Sequence, residues 1–453
     1  MDSTQLNLSN LFQTIISSPH FHFITISILT LITLYISFKP NPTYLIDFSC
    51  YRPPESHRIP LSTFMEHTQI CAGFDNSSIN FQIKIMERCG LGQETCVPEN
   101  IHQLPPDRSF HSSLLEIETI IFTAVQNLLT KHSINPNSID ILVSNCSLFS
   151  PTPSITSMLI NKFQFRTDIR SFHLSGMGCS SGLLSINLAN DLLKVHKNSM
   201  VLVLSMEAIT PNGYPGKVKS MLLTNCLFRM GGAAILLSNR RSDRSVAKYI
   251  LHHLLRTNLS SDDRSYKCVS QEEDDEGFMG VSLSKDILHV AGDALRVHAD
   301  MLGPLVLPYI EQLRYGWSVI VKKWWGPFGK GTIYMPKFKK AFDHICIHAG
   351  GRAVIDVIES VLGMSKEDME ASRMTLYRFG NTSSSSIWYI LCYMEAKGLV
   401  KRGDRVWQLA FGSGYKCNSA VWRCVSDLKL DIGNAWSDRI HSYPVEVPEC
   451  LDH

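Results

Sequence analysis

The chain is predicted to be a layered α/β protein built from two similar halves, and three observations carry that prediction. Short, almost wholly apolar strands, such as residues 140–144 and 200–206, alternate with amphipathic helical stretches. Two strand–glycine turn–helix units, one around Cys179 and one around His348, read as duplicated copies. The 453 residues suffice for two core-forming units or one duplicated domain. Units that bury strand faces under helices stack into an α/β/α/β/α sandwich.

The elements follow in chain order. Residues 1–20 are a tail. Residues 21–38 (FHFITISILTLITLYISF) contain no Lys, Arg, Asp or Glu and lie near the lower length limit of a membrane-spanning helix. A signal peptide is the alternative. No Lys or Arg precedes the segment and no small-x-small cleavage site follows it, which favours an uncleaved transmembrane anchor. Lys39, Arg52 and Arg58 come after it, so the positive-inside rule puts the C-terminal body in the cytosol. Residues 39–110 are rich in Pro, Cys and polar side chains and are expected to wrap the body or lie along the membrane.

The first half, residues 111–280, carries a helix over 113–132, a strand over 140–144 and a helix over 154–165. A strand over 169–174, a helix over 181–195 and strands over 200–206 and 233–237 complete it. The acidic run Glu272-Glu273-Asp274-Asp275-Glu276 reads as a solvated loop. The second half, residues 281–453, carries a helix over 284–302, a strand over 342–347 and helices over 353–362 and 384–397, then a strand over 404–411. Residues 315–338, with Trp317, Trp324, Trp325 and several Lys, suit a substrate-tunnel cover, a membrane-surface element or core packing.

Composition excludes several functions. The 43 Lys and Arg balance 41 Asp and Glu with no basic block, which argues against nucleic-acid binding. The 13 cysteines are odd in number and form no C-x-x-C pair, so neither a zinc site nor a disulfide framework is indicated. Reduced thiols facing the cytosol are the natural reading. The Asn76 and Asn258 sequons are accidental if the body is cytosolic.

The chemistry points to acyl transfer. Cys179 lies in Ser175-Gly176-Met177-Gly178-Cys179-Ser180, where a strand turns into a helix. A helix N-terminus favours thiolate over thiol and offers N–H groups to an oxyanion. His348 lies in His348-Ala349-Gly350-Gly351, and Asn381 follows Gly380. Alone, each residue is more often structural: a packed thiol, a satisfied histidine, a turn asparagine. The combination carries the signal.

The segments SFHLSGMGCSSGL, MLLTNCLFRMGGAAILLSNR, HICIHAGGRAVIDV, YRFGNTSSSSIWY and LAFGSGYKCNSAVW resemble those of plant 3-ketoacyl-CoA synthases. The wider kinship is to thiolase-like condensing enzymes, including chalcone synthases, and the resemblance implies their duplicated αβαβα fold. It also implies catalysis by Cys179, His348 and Asn381, with acyl-CoA and malonyl-CoA as substrates and no metal, nicotinamide or other cofactor. His344, also a family histidine, is expected to support His348 or simply to pack; Gly412 and Gly414 are expected near a second oxyanion. The implied setting is the endoplasmic-reticulum membrane, as a homodimer working with a ketoacyl-CoA reductase, a dehydratase and an enoyl-CoA reductase. Asn258 and Tyr377 stand where the family usually has His. That departure keeps a weakly active or regulatory elongase subunit as an alternative, beside a type III polyketide synthase.

Overall fold

The computed structural model describes residues 22, 23, 25–27, 30, 41–71, 73–325, 334–431 and 433–447. Thr43–His453 form one compact unit and Met1–Pro42 another. The anchor expected at residues 21–38 lies largely outside the described residues. Among the described residues no helix is long and apolar enough to cross a membrane.

The strands are β1 (Tyr44–Cys50), β2 (Ile141–Asn145), β3 (Arg170–Leu174), β4 (Met200–Met206), β5 (Gly232–Ser238) and β6 (Tyr249–Asn258). They continue with β7 (Val269–Glu273), β8 (Met279–Leu283), β9 (His344–Ile347), β10 (Arg405–Gly412) and β11 (Lys416–Cys424). The principal helices are α1 (Leu61–Ile70), α2 (Asn76–Arg88), α3 (Phe110–Lys131), α4 (Ile155–Phe163), α5 (Ser181–Val195) and α6 (Lys219–Leu227). After them come α7 (Ile287–Val306), α8 (Tyr309–Trp325), α9 (Arg352–Leu362), α10 (Lys366–Phe379) and α11 (Ser386–Ala396).

Nine strands are hydrogen-bonded in the order β3-β2-β4-β5-β1-β6-β11-β10-β9. The sheet has a narrow joint. β1 pairs with β5 along its length but meets β6 only at Tyr44↔Ile250 and Leu45↔Tyr249. Two half-sheets result, one on each side of that joint. α5 packs on β2 and β4 of one half and on β11 of the other, while α11 packs on β9, β10 and β1. These two helices therefore form the central layer of the expected sandwich. Their sequences explain why: every residue of α11 is buried, and a helix apolar on all sides needs cover on all sides. β2, β4 and β5 are likewise buried at every position, as strands covered on both faces must be.

The duplication is real but paired differently from the sequence expectation. A short 3₁₀ turn opens each central helix, at Gly178–Ser180 and at Ser383–Ser385. Each helix leads into antiparallel neighbours, β4–β5 and β10–β11, and β2 runs parallel to β4 as β9 does to β10. The Cys179 turn thus corresponds to the turn after Asn381. His348, just beyond β9, corresponds to the end of β2. A glycine turn after a strand marks all of these sites, and only strand pairing tells the copies apart.

Two other expectations change. Residues 39–110 do more than wrap the body, because β1 lies inside the sheet at the joint. The acidic run is not a free loop: Glu272 and Glu273 end β7, and Asp274 in the turn to β8 accepts a hydrogen bond from the Tyr214 hydroxyl.

Buried charge secures the joint. Asp47 on β1 is fully buried and meets Lys248 Nζ at 2.6 Å, Lys131 Nζ at 2.5 Å and His132 Nε2 at 2.7 Å. Lys248 also reaches Glu395 of α11 at 2.6 Å. The strand joint, α3 and the central layer therefore share one ion network.

Candidate active site

The turn carrying Cys179 is set by close backbone approach. Gly178 has φ +68°, and a Cβ there would stand 2.4 Å from the Ser413 nitrogen. A Cβ on Gly412 would stand 2.4 Å from Ser180 Oγ and 2.8 Å from the Met177 oxygen. The Gly412-Ser413-Gly414 turn can press on the cysteine turn only because both lack side chains at these points.

The partner turn is pinned by a buried polar cluster. Asn145 Oδ1, at the end of β2, accepts from Ser181 Oγ at 3.0 Å and from Ser384 Oγ at 2.7 Å. Its amide donates to Ser185 Oγ at 2.9 Å and to the Leu204 carbonyl at 3.0 Å. One side chain thus ties the starts of α5 and α11 together. Asn381 is fixed at both ends: its N–H donates to the Leu227 carbonyl and its carbonyl accepts from Arg229 N–H, each at 3.0 Å. Its side-chain Oδ1 accepts from Ser383 N–H at 2.8 Å, and Nδ2 donates to the Gly350 carbonyl at 3.1 Å. The amide orientation is thereby determined, with one Nδ2 hydrogen left for a ligand.

Cys179, His348 and Asn381 all line one cavity of about 370 Å³, together with Gly412 and Gly414. His348 is buried, and its Nδ1 lies 2.5 Å from Ser386 Oγ. Burial holds the imidazole down at about 4, so it is neutral near neutral pH. Ser383 Oγ lies 3.4 Å from Cys179 Sγ and equally 3.4 Å from Glu207 Oε2. Glu207 also accepts from the N–H groups of Ser147 and Leu148 at 3.0 and 2.9 Å. Burial raises its carboxyl above the usual range.

The cysteine differs from the sequence expectation. Burial pushes the Cys179 thiol from its ordinary 9.0 up to about 12; the Glu207 charge adds to this and the Ser383 hydroxyl opposes it. Burial therefore opposes the thiolate that a helix N-terminus favours, in a side chain that is only partly buried from the surface.

His344 does not support His348. It stands at the far end of β9, where Nε2 meets Asp404 Oδ2 at 2.9 Å, and it does not line the cavity. Ser386 holds the support position instead. Asn258 accepts from Ser260 N–H at 3.0 Å, and Tyr377 packs against Gly92 and Tyr443. Neither touches the cavity. Sequence reasoning missed Asn145, Glu207, Ser383 and Ser386. The readable signals were an acid directly after the apolar run of β4 and the serine run after Asn381.

A second cavity, of about 130 Å³, opens behind the first and shares Leu148, Glu207, Phe228 and Val281 with it. Its other walls include Ile59, Phe64, Phe74, Val97, Ile101 and Ile209. α1 and the stretches beside it thus supply an apolar chamber.

Comparison with known proteins agrees with this architecture. The family described as FAE1/Type III polyketide synthase-like protein matches residues 35–324, and the chalcone and stilbene synthase C-terminal domain matches residues 333–426. The chain is 56% identical to 3-ketoacyl-CoA synthase 7 of Arabidopsis thaliana over 434 residues, covering 96% of this chain and 94% of that one. It is 53% identical to 3-ketoacyl-CoA synthase 5 of the same plant over 442 residues, covering 96% and 89%. Among solved structures, 1,3,6,8-tetrahydroxynaphthalene synthase from Streptomyces coelicolor A3(2) superposes with a TM-score of 0.65 at 19% identity, over 84% of this chain and 99% of that one. The fungal type III polyketide synthase ORAS gives 0.64 at 18%, over 84% and 100%. At such identities the structural likeness speaks for the fold alone.

Proposed function

The chain belongs to the 3-ketoacyl-CoA synthase family, and we propose that Cys179, His348 and Asn381 carry out its reaction. The protein is a condensing acyltransferase of very-long-chain fatty acid elongation. It joins a long-chain acyl-CoA to malonyl-CoA, releasing CoA and CO2, and yields a 3-ketoacyl-CoA two carbons longer.

The observation that carries the catalytic assignment is the convergence of these three side chains on one cavity. Attack begins from the neutral pair. As Cys179 Sγ bonds to the acyl carbonyl carbon, its proton passes to His348 Nε2, the CoA–sulfur bond breaks, and CoA leaves protonated. Malonyl-CoA then occupies the vacated site. Its carboxylate departs as CO2 and the bonding pair moves into the thioester as an enolate. His348 Nε2–H and the free Asn381 Nδ2–H donate to that enolate oxygen. The enolate carbon attacks the acyl carbon on Cys179, and the sulfur leaves and takes up one proton from solvent, the proton that decarboxylative condensation consumes overall. The first step needs Nε2 bare and the second needs it protonated. The Ser386 hydroxyl both donates and accepts, so it can hold Nδ1 in either tautomer.

The chamber behind Leu148, Phe228 and Val281 would take the acyl carbons nearest the thioester. The regulatory-subunit alternative is not favoured: the relatives are 3-ketoacyl-CoA synthases, Tyr377 does not line the cavity, and Asn258 reaches it only through Ser260 and Lys416. We further propose that residues 21–38 anchor the protein in the endoplasmic reticulum with the body cytosolic. There it works as a homodimer beside the reductases and dehydratase of elongation. The uncharged segment and the basic residues after it support this. Expression in yeast with profiling of very-long-chain acyl groups tests the function. Longer species should appear with the native chain and not with Cys179→Ala; identical profiles would refute the assignment.

A further inference from the structure

α8 is turned inside out. At 100° per residue, Tyr309, Leu313, Trp317, Ile320 and Trp324 fall on a single narrow stripe of the helix. All five face outward, with 84%, 71%, 66%, 48% and 75% of their surface exposed. Ile310, at the edge of the stripe, is 62% exposed. A surface helix of a water-soluble body normally does the reverse.

The inward face explains how this orientation is held. Glu311, on the opposite side of the helix, is fully buried. It accepts hydrogen bonds from Tyr334 Oη at 2.6 Å, Lys340 Nζ at 2.7 Å and Lys337 N–H at 3.1 Å. Swinging the apolar stripe inward would drag this carboxylate from these three donors and leave it only Arg314 of its own helix, at 3.3 Å. The clamp is an active preference for apolar-out, not merely missing cover. The preceding helix α7 adds Val297, Met301 and Leu305, each four residues apart and 42–50% exposed.

The stripe has the chemistry of a membrane interface. Two Trp and a Tyr lie among aliphatic side chains, the mixture that settles at headgroup level. Lys322 and Lys323 are exposed in the last turn, which complements acidic headgroups. We propose that α8 lies in the surface of an anionic lipid bilayer as a second membrane contact, separate from residues 21–38. This holds the catalytic body against the membrane in which a long-chain acyl thioester dissolves. The proposal needs no assumption about catalysis, and its test reads no activity.

Trp fluorescence in the full chain provides that test. The chain has 7 Trp, and those at 388, 407, 422 and 436 are fully buried in the body. A Trp325→Phe variant leaves Trp317 and Trp324 as the exposed indoles. It is reconstituted into phosphatidylcholine–phosphatidylserine vesicles, with and without bromine on the lipid acyl chains. Bromolipid should quench a fraction of the emission, and Trp317→Phe with Trp324→Phe should abolish that fraction. Leu313→Glu with Ile320→Glu should abolish it too, with an unchanged melting temperature and retained vesicle association through the anchor. Equal emission in both vesicle types would overturn the proposal. Stripe burial lost on dilution in detergent would also overturn it, by assigning the face to a second copy.

Discussion

Alkylation of Cys179 by iodoacetamide should rise about tenfold per pH unit from about pH 7 to pH 9, without a plateau. The thiol is held up at about 12, so near pH 7 roughly one molecule in 10⁵ carries the thiolate. A free cysteine at its ordinary 9.0 would show about one in 10². The gap of about 1,000-fold should appear as slow modification at neutral pH, measured by mass spectrometry of the peptide bearing Cys179. His348 stays neutral through this window because its imidazole is held at about 4, so it adds no inflection. The sign is fixed by burial: charge is disfavoured at both residues, which raises the thiol and lowers the imidazole. Adding an acyl-CoA that forms the thioester should abolish labelling at every pH. A plateau below about pH 8 would refute the reasoning, since it would mean a thiolate preformed by the helix N-terminus.

Three further outcomes follow from the geometry. Asn381→Ala should slow condensation by about 100-fold or more while Cys179 still acquires its acyl group, because the enolate loses a donor; single-turnover kinetics separate the two steps. Lys248→Met should cost about 3 kcal/mol in denaturant unfolding by leaving Glu395 buried without its cation and Asp47 with Lys131 and His132 alone, and a loss under about 1 kcal/mol would remove that network from the account of the joint. Val281→Trp should shorten the longest acyl product in yeast by narrowing the wall between the two cavities, and an unchanged product profile would place the acyl chain elsewhere.

The sequence made some of this legible. β2, β4 and β5 are runs of apolar residues that nothing but a doubly covered strand accommodates, and α5 and α11 begin where their serine and glycine turns end. The Cys, His and Asn turns were visible because each sits beside glycine. β1, β6 and β11 were not. YLIDFSC hides its strand behind a buried Asp47, whose charge makes sense only with Lys131 and Lys248 in place. YILHHLLRTN and KCNSAVWRC mix polar and apolar residues, and each becomes a strand through pairing with the other. Asn145, Glu207 and Ser386 act across contacts between separate elements, which spacing along the chain does not encode. The burial acting on the Cys179 thiol was hidden for a related reason: a helix start can be read from sequence, but how far a side chain is covered by other elements cannot.

The most direct test of the central claim is trapping the acyl-enzyme. Purified full-length protein given a long-chain acyl-CoA without malonyl-CoA should gain one acyl mass, on the peptide containing Cys179. Malonyl-CoA should then discharge it with release of CO2 and 3-ketoacyl-CoA in equal amounts. An adduct on any other residue, or product formation by Cys179→Ala, would contradict the account.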